Sequence, residues 1–474
     1  MNNITIRDII RITKGRLLDK VDDDKKDELL SKELKDIVID SRQAGEDKLF
    51  IAIVGENVDA HKFIPDVAAD SYAVLLEKDE EEILALSDGK ELPRNRAYIK
   101  VDSTIDALQD IGTYMRSIYN AKVIGVTGSV GKTTTREMIT HALRSSLNVF
   151  STSGNMNSQI GVPLTLSKIM DEPTDIAVIE MGISEPGGMD KLTRMVMPDI
   201  AVCTMIGVAH IEFMHTQEGI REEKLKIAGR MGSEGAIFLN SDDELLKVVD
   251  KVSDCRIYRY GTGDNADYKA EDIRYENGFN TYTYCHGDER ITVNLLQSGK
   301  HNVLNSLVAM AICDYLGLDL NKAAASFESF AGLRQKEIQT EKGYHVIDDT
   351  YNASPDSMKA ALNVLAEKSC SGKKIAVLGD MFELGPNSDE YHKVVGRYIN
   401  ELLDKDENAI DILITVGDSS KLLAAEVNKD IDIRCFDSND EATEAIKEIL
   451  GPGDVIILKA SNGMKFAGIV KEII

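Results

Sequence analysis

The chain has 474 residues, of which 43% are apolar and 28% are charged, and its formal net charge is −25. At roughly 100–200 residues per domain, this length indicates several domains, each large enough to bury its own core. The acidic charge repels nucleic acids and anionic membranes, which argues against a general polyanion-binding protein. An anionic nucleotide would therefore have to be held by local basic groups.

Neither the amino terminus nor the cysteines indicate export. The first residues, MNNITIRDII, lack the basic stretch and apolar core of a signal peptide. No run approaches the ~18–20 apolar residues of a membrane span. The six cysteines form no close pair of the kind found in metal or redox sites. We therefore expect free thiols, a reducing environment and a cytoplasmic protein.

The first hundred residues predict a small α/β domain. A short helical segment precedes three strand-like runs, DIVIDS (36–41), KLFIAI (48–53) and YAVLLE (72–77). A helix over residues 103–119 then leads into the strand KVIGV (122–126). Strands and helices alternate from there, which predicts a mostly parallel sheet with helices on both faces.

Two later stretches extend this organisation. Alternating polar and apolar residues over 256–297 predict antiparallel strands added to the second sheet. A second block of alternating strands and helices begins near residue 344 and predicts a Rossmann-like domain. The sequence thus predicts an α/β protein of three domains, covering residues 1–102, 103–331 and 332–474.

A phosphate-binding loop stands at the start of the second domain. The segment KVIGVTGSVGKTTTREM contains an apolar strand, a glycine-rich turn and the beginning of a helix. Glycines allow backbone N–H groups to converge on phosphate oxygens, and the helix N-terminus adds partial positive charge. The predicted ATP-binding residues of this loop are Gly128, Ser129, Val130, Gly131, Lys132, Thr133 and Thr134. The glycine spacing is unusual, because Val126 stands where the common pattern has glycine.

Two further residues suit a magnesium site. Glu180 ends the apolar strand IAVIE, so its carboxylate is expected at the carboxyl edge of the sheet, where ligands bind. Carboxylate and hydroxyl oxygens suit Mg²⁺, which makes Glu180 and Thr133 candidate ligands. His210 follows another apolar run, although a lone histidine in such a place is more often structural.

The loop spacing and several later strings resemble the Mur ligase family, the ATP-dependent ligases of bacterial cell-wall precursor synthesis. The resemblance extends over nearly the whole chain, and its strings occur in the family's order. They are GNMNSQIGVPLTL (154–166), VIEMG (178–182), GVAHIEFM (207–214), GKHNVLNSLVA (299–309), GLR (332–334), DDTYNASPDSM (348–358) and LGDMFELG (378–385).

The resemblance implies an amide ligase that activates a carboxylate as an acyl phosphate. The string DDTYNASPDSM is most similar to that of ligases adding D-alanyl-D-alanine to UDP-N-acetylmuramoyl-tripeptide in peptidoglycan synthesis. The segment IDSRQAGEDKLFIAIVGENVDAHKFI resembles their amino-terminal UDP-sugar-binding domain. We therefore expect ATP and Mg²⁺ as cofactors, UDP-N-acetylmuramoyl-peptide and D-Ala-D-Ala as small-molecule partners, and a monomer.

The family's functional residues fall on defined positions of this chain. Lys132, Asn155, His210 and Lys224 are implied as catalytic, with His210 holding a second Mg²⁺ and Lys224 reacting with CO₂ to form a carbamate. Asn302, Asn305, Arg334 and Asp349 are implied as ATP contacts, the last two reaching the nucleotide from the third domain. The implied substrate contacts are Ser41, Arg42, Asn157, Ser158, Tyr351, Asn352, Ala353 and Pro355.

Three positions depart from the family pattern and keep alternatives open. His215 stands where a small residue is expected, Lys226 replaces a glutamate, and Asn462 lies where an arginine would be expected. These departures are compatible with a paralogous Mur-type ligase that joins another amine or carboxylate. A folate-type glutamate ligase would not need residues 36–63, and a regulatory protein that has lost catalysis would not need the retained Lys132 and Glu180.

Overall fold

The computed structural model of the chain describes residues 1, 4–276, 279–332 and 336–474. These residues form three β-sheets of five, nine and six strands, which follow one another along the chain. Most strand neighbours within each sheet are parallel. The predicted α/β class with three units is therefore confirmed, while the boundaries at residues 102 and 331 stay predictions.

The amino-terminal sheet has the order β1-β5-β4-β3-β2. All three strand-like runs of the sequence form strands in it, and only the short β1 pairs antiparallel. The strands are β1 (Arg16–Leu17), β2 (Asp36–Val38), β3 (Lys48–Ile51), β4 (Ala73–Leu76) and β5 (Ala97–Lys100), and the helices are α1 (Ile6–Thr13), α2 (Asp23–Leu30), α3 (Ile64–Asp70) and α4 (Glu80–Leu86).

The central sheet has the order β14-β13-β12-β11-β10-β9-β6-β8-β7. Its inner strands are buried along their whole length, as expected for parallel strands covered on both faces. The strands are β6 (Lys122–Thr127), β7 (Val149–Ser151), β8 (Ile176–Glu180), β9 (Ile200–Cys203), β10 (Ala236–Asn240), β11 (Arg256–Gly261), β12 (Tyr268–Glu276), β13 (Phe279–His286) and β14 (Glu289–Leu295). The helices are α5 (Thr104–Ile118), α6 (Lys132–Leu143), α7 (Gly161–Leu166), α8 (Gly188–Val196), α9 (Ile211–Met214), α10 (Gln217–Leu225), α11 (Lys300–Tyr315) and α12 (Leu320–Ser326).

The antiparallel extension of this sheet is shorter than predicted. Strands β12, β13 and β14 pair antiparallel, as the alternating pattern indicated. Strand β11 pairs parallel with both β10 and β12, so the prediction of antiparallel strands was wrong for residues 256–261. Alternating polar and apolar residues indicate that one face of a strand is buried. They do not indicate whether the neighbouring strand is parallel or antiparallel.

The carboxyl-terminal sheet has the order β15-β16-β20-β17-β18-β19. Five of its strands are parallel, and β15 pairs antiparallel with β16 at the edge. The strands are β15 (Lys336–Gln339), β16 (His345–Asp348), β17 (Lys374–Gly379), β18 (Ile412–Val416), β19 (Asp432–Phe436) and β20 (Val455–Lys459). The helices are α13 (Pro355–Glu367), α14 (Ser388–Lys405), α15 (Asp418–Glu426), α16 (Asn439–Ile449) and α17 (Ala467–Ile473).

Apolar packing joins the three units. One hydrophobic cluster runs from the amino-terminal sheet through α5 into the central sheet. Val208 of the central domain belongs to the core cluster of the carboxyl-terminal domain. All six cysteines are free, as predicted, and Cys203 and Cys313 are fully buried. Within the described part of the chain, no helix is both long and apolar enough to cross a bilayer.

Helix α5 packs closely on α7, and this contact supports the loop that precedes α7. A Cβ added to Gly112 would lie 2.8 Å from Cα of Pro163. We expect Gly112→Ala to lower the free energy of unfolding by about 1–3 kcal/mol, because the two helices would have to separate.

Differential scanning calorimetry measures this effect, and Gly468→Ala is the matched control. Gly468 lies on the exposed side of α17 with no atom within 4 Å of an added Cβ. That variant should be neutral or slightly stabilising, since alanine is the better helix former. Equal unfolding temperatures for the two variants would contradict the proposed packing constraint.

Candidate active site

The phosphate loop connects the end of β6 to the start of α6 and is held against β9. Gly128 and Gly131 have positive φ angles of 147° and 87°. A Cβ on Gly128 would lie only 1.9 Å from Oγ1 of Thr204, so this position requires glycine. The Thr204 hydroxyl donates to the carbonyl of Val130 at 2.6 Å. The loop is therefore shaped by Gly131, which the ordinary spacing includes, and by Gly128, which it does not.

Two side chains at the start of α6 have defined partners. The ammonium of Lys132 donates to the carbonyls of Gly128 at 2.9 Å and Ser129 at 3.2 Å, which folds the side chain over the loop. The hydroxyl of Thr133 donates to Oε1 of Glu180 at 3.1 Å. Thr133 and Glu180, the two residues predicted as magnesium ligands, therefore lie side by side at the sheet edge.

Glu180 is a fully buried carboxylate that is contacted by two residues of α6 and by Asn157. Its Oε1 accepts hydrogen bonds from Thr133 and, at 2.6 Å, from the side-chain amide of Asn157. Its Oε2 has no hydrogen-bond partner among the described residues and lies 3.5 Å from Nε of Arg136. Burying a carboxylate oxygen without a hydrogen bond is costly, and the guanidinium of Arg136 supplies the charge that offsets this cost.

His210 lies just before α9 in a left-handed conformation, with φ 64°. Its Nδ1 lies 2.6 Å from Oε2 of Glu383, a residue of the carboxyl-terminal domain. The neighbouring His210 lowers the pKa of the Glu383 carboxyl, which keeps it ionised. Two domains thus meet at this histidine.

Most of the predicted site residues line one cavity of about 660 Å³ between the central and carboxyl-terminal domains. From the central domain these are Ser129, Val130, Gly131, Lys132, Thr133, Thr134, Asn157, Ser158, Glu180, His210, Asn302 and Asn305, and from the carboxyl-terminal domain Asp349, Tyr351, Asn352 and Ala353.

Six described residues of the predicted site do not line this cavity, and Gly128 of the phosphate loop is one of them. Asn155 is exposed in the loop after β7, Pro355 is buried at the start of α13, and Lys224 lies in α10, none of them lining this cavity. Ser41 and Arg42 belong to a turn of the amino-terminal domain, where Arg42 donates to Asp40 at 2.6 Å and 2.9 Å. Arg334 lies outside the described residues.

The two asparagines of α11 brace the helix of the phosphate loop. Asn305 accepts from the hydroxyl of Thr135 at 2.9 Å and donates to Asn302 at 3.3 Å. Asn302 in turn donates to the carbonyl of Ser298 at 2.7 Å. Both are buried, so they are fixed side chains at the wall of the cavity and not merely caps of α11.

Lys459 at the end of β20 fixes residues of the cavity wall that belongs to the carboxyl-terminal domain. Its buried ammonium donates to Asp349 at 2.7 Å and to the carbonyl of Asn352 at 3.0 Å. One lysine therefore fixes both the strand-end aspartate and the loop that follows it. Lys459 was not among the predicted site residues, because its partners lie about a hundred residues away along the chain.

Asp356 was also not predicted. It stands at the start of α13, and a Cβ added to Gly207 of the central domain would lie 2.4 Å from its Oδ2. Burial raises the pKa of the Asp356 carboxyl, and the charge of Asp243 raises it further. The two domains thus approach closely beside the phosphate loop, and this contact requires a glycine at position 207.

Lys224 is 2% exposed and has no hydrogen bond or ion pair within the described chain. Burial, and to a smaller extent the charge of Lys132, lowers its pKa to about 7. A large fraction of this side chain is therefore a neutral amine near neutral pH, which an ordinary exposed lysine is not.

Known protein families match the two parts of the chain that form the cavity. Residues 126–313 match the family model described as Mur ligase middle domain, and residues 334–462 match that described as Mur ligase, glutamate ligase domain. The chain is 36% identical over 444 residues to a UDP-N-acetylmuramoyl-tripeptide–D-alanyl-D-alanine ligase of Bacillus subtilis, covering 92% of this chain and 93% of that protein. The chain belongs to the Mur ligase family.

Other relatives of this Mur ligase agree with that result. A ligase of the same name from Synechocystis is 30% identical, with 93% of this chain and 92% of that protein covered. The crystal structure of MurF from Acinetobacter baumannii has a TM-score of 0.85 and 27% identity, covering 99% and 98% of the two chains. MurF ligase from Thermotoga maritima in complex with ADP has a TM-score of 0.78 and 26% identity, covering 93% and 97%.

Two of the three departures of this Mur ligase from the family pattern have local physical explanations. His215 has φ 64° and ψ −37°, a backbone conformation that favours glycine, which accounts for the small residue expected there. Lys226 forms ion pairs with the buried Glu223 at 2.7 Å and with the exposed Asp190 at 3.2 Å. Asn462 is exposed at the start of a short turn after β20, and nothing in the structure gives it a partner among the cavity residues.

We expect Asn157→Ala to lower the ATP-dependent rate of this Mur ligase by about 10- to 100-fold, because Glu180 loses its shortest hydrogen bond and its carboxylate is no longer fixed. Steady-state assays of ADP release measure the effect.

Two further variants are measured beside Asn157→Ala. Asn155→Ala tests the other asparagine of the same loop, and Asn148→Ala is the control. Asn148 is exposed, and its side chain has no partner within the described chain, so its variant should behave as the wild type. A larger loss for Asn155→Ala than for Asn157→Ala would place the essential amide at residue 155 and contradict the geometric assignment.

Proposed function

We propose that this Mur ligase joins D-alanyl-D-alanine to the free carboxylate of UDP-N-acetylmuramoyl-tripeptide, with conversion of ATP to ADP and phosphate. It is an ATP-dependent ligase that forms an amide bond in peptidoglycan precursor synthesis. The observation that carries the proposal is the cavity in which a phosphate loop, a buried glutamate and the loop after Asp349 meet. Similarity to ligases of this name extends over 92% of the chain.

The reaction needs two transfers in one closed site. The tripeptide carboxylate attacks the γ-phosphorus of ATP, and ADP leaves. The amine of the dipeptide then attacks the acyl carbon, and phosphate leaves. In-line phosphoryl transfer depends on positioning and on neutralising charge, which the ammonium of Lys132 and the backbone N–H groups of the loop supply. The contact between Gly207 and Asp356 helps to exclude water from the acyl phosphate.

The residues present fit Mg²⁺. Glu180 offers a buried oxygen without a donor, Thr133 offers a hydroxyl beside it, and His210 lines the same cavity. Magnesium commonly takes one or two carboxylates and completes its shell with water and substrate phosphates. Such a site agrees with the finding that the described residues contain no group of three or more His, Cys, Asp or Glu side chains arranged for a metal. When bound, the ion would neutralise charge on the transferred phosphoryl group.

We further propose substrate contacts, which for Arg334, Ser41, Arg42 and Pro355 rest on the resemblance to the family alone. Asn302, Asn305, Asp349 and Arg334 are proposed to bind ATP, and the loop of Tyr351, Asn352, Ala353 and Pro355 the incoming dipeptide. Asn157 and Ser158, with Ser41 and Arg42 of the amino-terminal domain, are proposed to face the UDP-sugar peptide. The proposal includes domains at residues 1–102, 103–331 and 332–474, a monomer, and a cytoplasmic location, where ATP is supplied.

Purified protein should release phosphate only when ATP, UDP-N-acetylmuramoyl-tripeptide and D-Ala-D-Ala are all present. Lys132→Ala should reduce that rate at least about 100-fold, because it removes charge stabilisation of the transferred group. Mass spectrometry of the product identifies the amine that has been joined.

The control for this experiment is Lys191→Ala. Lys191 is an exposed lysine of α8 without a partner in the described structure, so this variant should keep the wild-type rate. Full activity with a single amino acid and none with the dipeptide would refute the proposed amine. Unchanged turnover in Lys132→Ala would refute the role of the phosphate loop.

Lys224 is proposed to carry a carbamate. A neutral amine attacks CO₂, a nitrogen–carbon bond forms and a proton is released, which turns a buried cation into an anion. Because burial lowers the pKa of Lys224 to about 7, the reactive neutral form increases as the pH rises through 7. Incubation with ¹³C-bicarbonate should give a carbamate signal in ¹³C NMR that is strong well above pH 7 and weak well below it.

Two variants assign that signal. Lys224→Arg should abolish it and lower the ligase rate at least about tenfold, whereas Lys191→Arg should leave both unchanged. A signal that persists in Lys224→Arg, or that is absent from the wild type at every pH, would contradict the carbamate.

A further inference from the structure

Arg136 is a buried arginine of α6, four residues after Lys132 of the phosphate loop. Arginine is seldom buried unless its charge and its N–H groups find partners. The guanidinium carries five N–H donors in a planar fork, so one such side chain can hold several acceptors in a fixed geometry.

The two terminal nitrogens of Arg136 hold the loop that follows β7. Nη1 donates to the carbonyl of Thr152, and Nη2 donates to the carbonyl of Gly154 at 3.3 Å. Nη2 also donates to the carboxylate of the neighbouring Glu137 at 3.1 Å. The loop of residues 152–158 is therefore anchored to α6 by a charged side chain.

The same loop is attached to the end of β8. The backbone N–H of Glu180 donates to Oγ1 of Thr152 at 2.9 Å, and the backbone N–H of Gly182 donates to the carbonyl of Asn157 at 2.8 Å. The side-chain amide of Asn157 donates to the Glu180 carboxylate at 2.6 Å. The positions of Asn157 and Ser158, which both line the cavity, thus depend on how the loop is joined to its two neighbours.

The third nitrogen of the guanidinium, Nε, faces Glu180. It lies 3.5 Å from Oε2, and both atoms are buried without a hydrogen-bond partner among the described residues. The contact is therefore an ion pair without a hydrogen bond, and burial leaves it much less screened than a surface pair. One guanidinium thus contacts the carboxylate with one nitrogen and the loop with the other two.

We propose that Arg136 is a positioning residue that joins the Glu180 carboxylate to the loop of residues 152–158 and so fixes Asn157 and Ser158 in the cavity. A counter-charge for Glu180 would need the ion pair alone, whereas the two bonds to loop carbonyls make the guanidinium a bridge. Since Glu180 lies beside the phosphate loop, Arg136 connects the nucleotide end of the cavity with the wall proposed to face the UDP-sugar peptide. Only the naming of that substrate rests on the proposed function.

Hydrogen–deuterium exchange of the ligand-free protein, measured by mass spectrometry, tests the bridge. Exchange over residues 152–158 should be about 10- to 100-fold faster in Arg136→Met than in the wild type, because the loop loses its bonds to a charged donor. Arg136→Lys keeps the charge beside Glu180 but lacks the planar fork, so exchange there should also be faster than in the wild type. Wild-type exchange in either variant would overturn the bridge.

Arg144→Met is the matched control. Arg144 is an exposed arginine directly after α6, and it donates to the carbonyl of Val149 in β7 at 3.4 Å. The variant removes an arginine–carbonyl contact close to the same loop without affecting Glu180, so residues 152–158 should exchange as in the wild type. Acceleration equal to that of Arg136→Met would be a general effect of losing an arginine at α6 and would overturn the assignment.

A double variant covers the case in which Arg136→Met does not fold, because Glu180 then loses its counter-charge. Arg136→Met combined with Glu180→Gln removes both charges of the pair. The loop should still exchange faster than in the wild type, since its carbonyls remain without the guanidinium. Wild-type exchange in the folded double variant would contradict the proposal.

Steady-state kinetics separate positioning from a general loss of structure. In Arg136→Lys, the KM for the UDP-sugar peptide should rise about 10- to 100-fold and the KM for ATP much less. The phosphate loop keeps its own contact with Thr204 in this variant. An equal rise of both KM values would overturn the positioning role. If the wild type does not use UDP-N-acetylmuramoyl-tripeptide, the proposed function fails, whereas the exchange experiment needs no substrate and still decides the role of Arg136.

Discussion

The burial of the Glu180 carboxylate is the constraint around which the site is organised. A charge removed from water must be surrounded by donors or by an ion, because its desolvation is otherwise too costly. The chain meets this requirement by bringing Thr133 from the phosphate loop, Asn157 from the loop before α7 and Arg136 from α6 to one strand end. The same convergence leaves one carboxylate oxygen without a hydrogen bond inside a cavity that holds the phosphate loop.

Two domains complete this arrangement from opposite sides. The central domain supplies the rigid elements, since the phosphate loop is fixed to β9 through Thr204 and to α11 through Thr135 and Asn305. The carboxyl-terminal domain supplies Asp349 and Asn352, both held by the buried Lys459. Carboxylate activation fits this division between two domains. The charged groups must be in position before the reaction, and water must be excluded while it proceeds.

Local patterns in the sequence predicted the local parts of this structure. Buried parallel strands were predicted from runs of apolar residues. The phosphate loop was predicted from the glycine-rich residues that join one such strand to a helix. Strand β15 was not predicted, since its four residues, KEIQ, contain one apolar side chain. The pairing direction of β11, the choice between Asn155 and Asn157, and the contacts of Asp356, Glu383 and Lys459 depend on residues far away in the chain. No local pattern encodes those relations, and the resemblance to a family covered only the positions whose roles it already assigns.

The close contact between Gly207 and Asp356 has a consequence for the speed of the catalytic cycle. A nucleotide bound in the shared cavity is enclosed by two domains at once, so its departure requires this contact and the one between His210 and Glu383 to open. Product release is therefore expected to involve separation of the domains, and the next turnover their renewed docking. The contacts that protect the acyl phosphate also retain the spent nucleotide, and the rate of product release is tied to the strength of the domain interface.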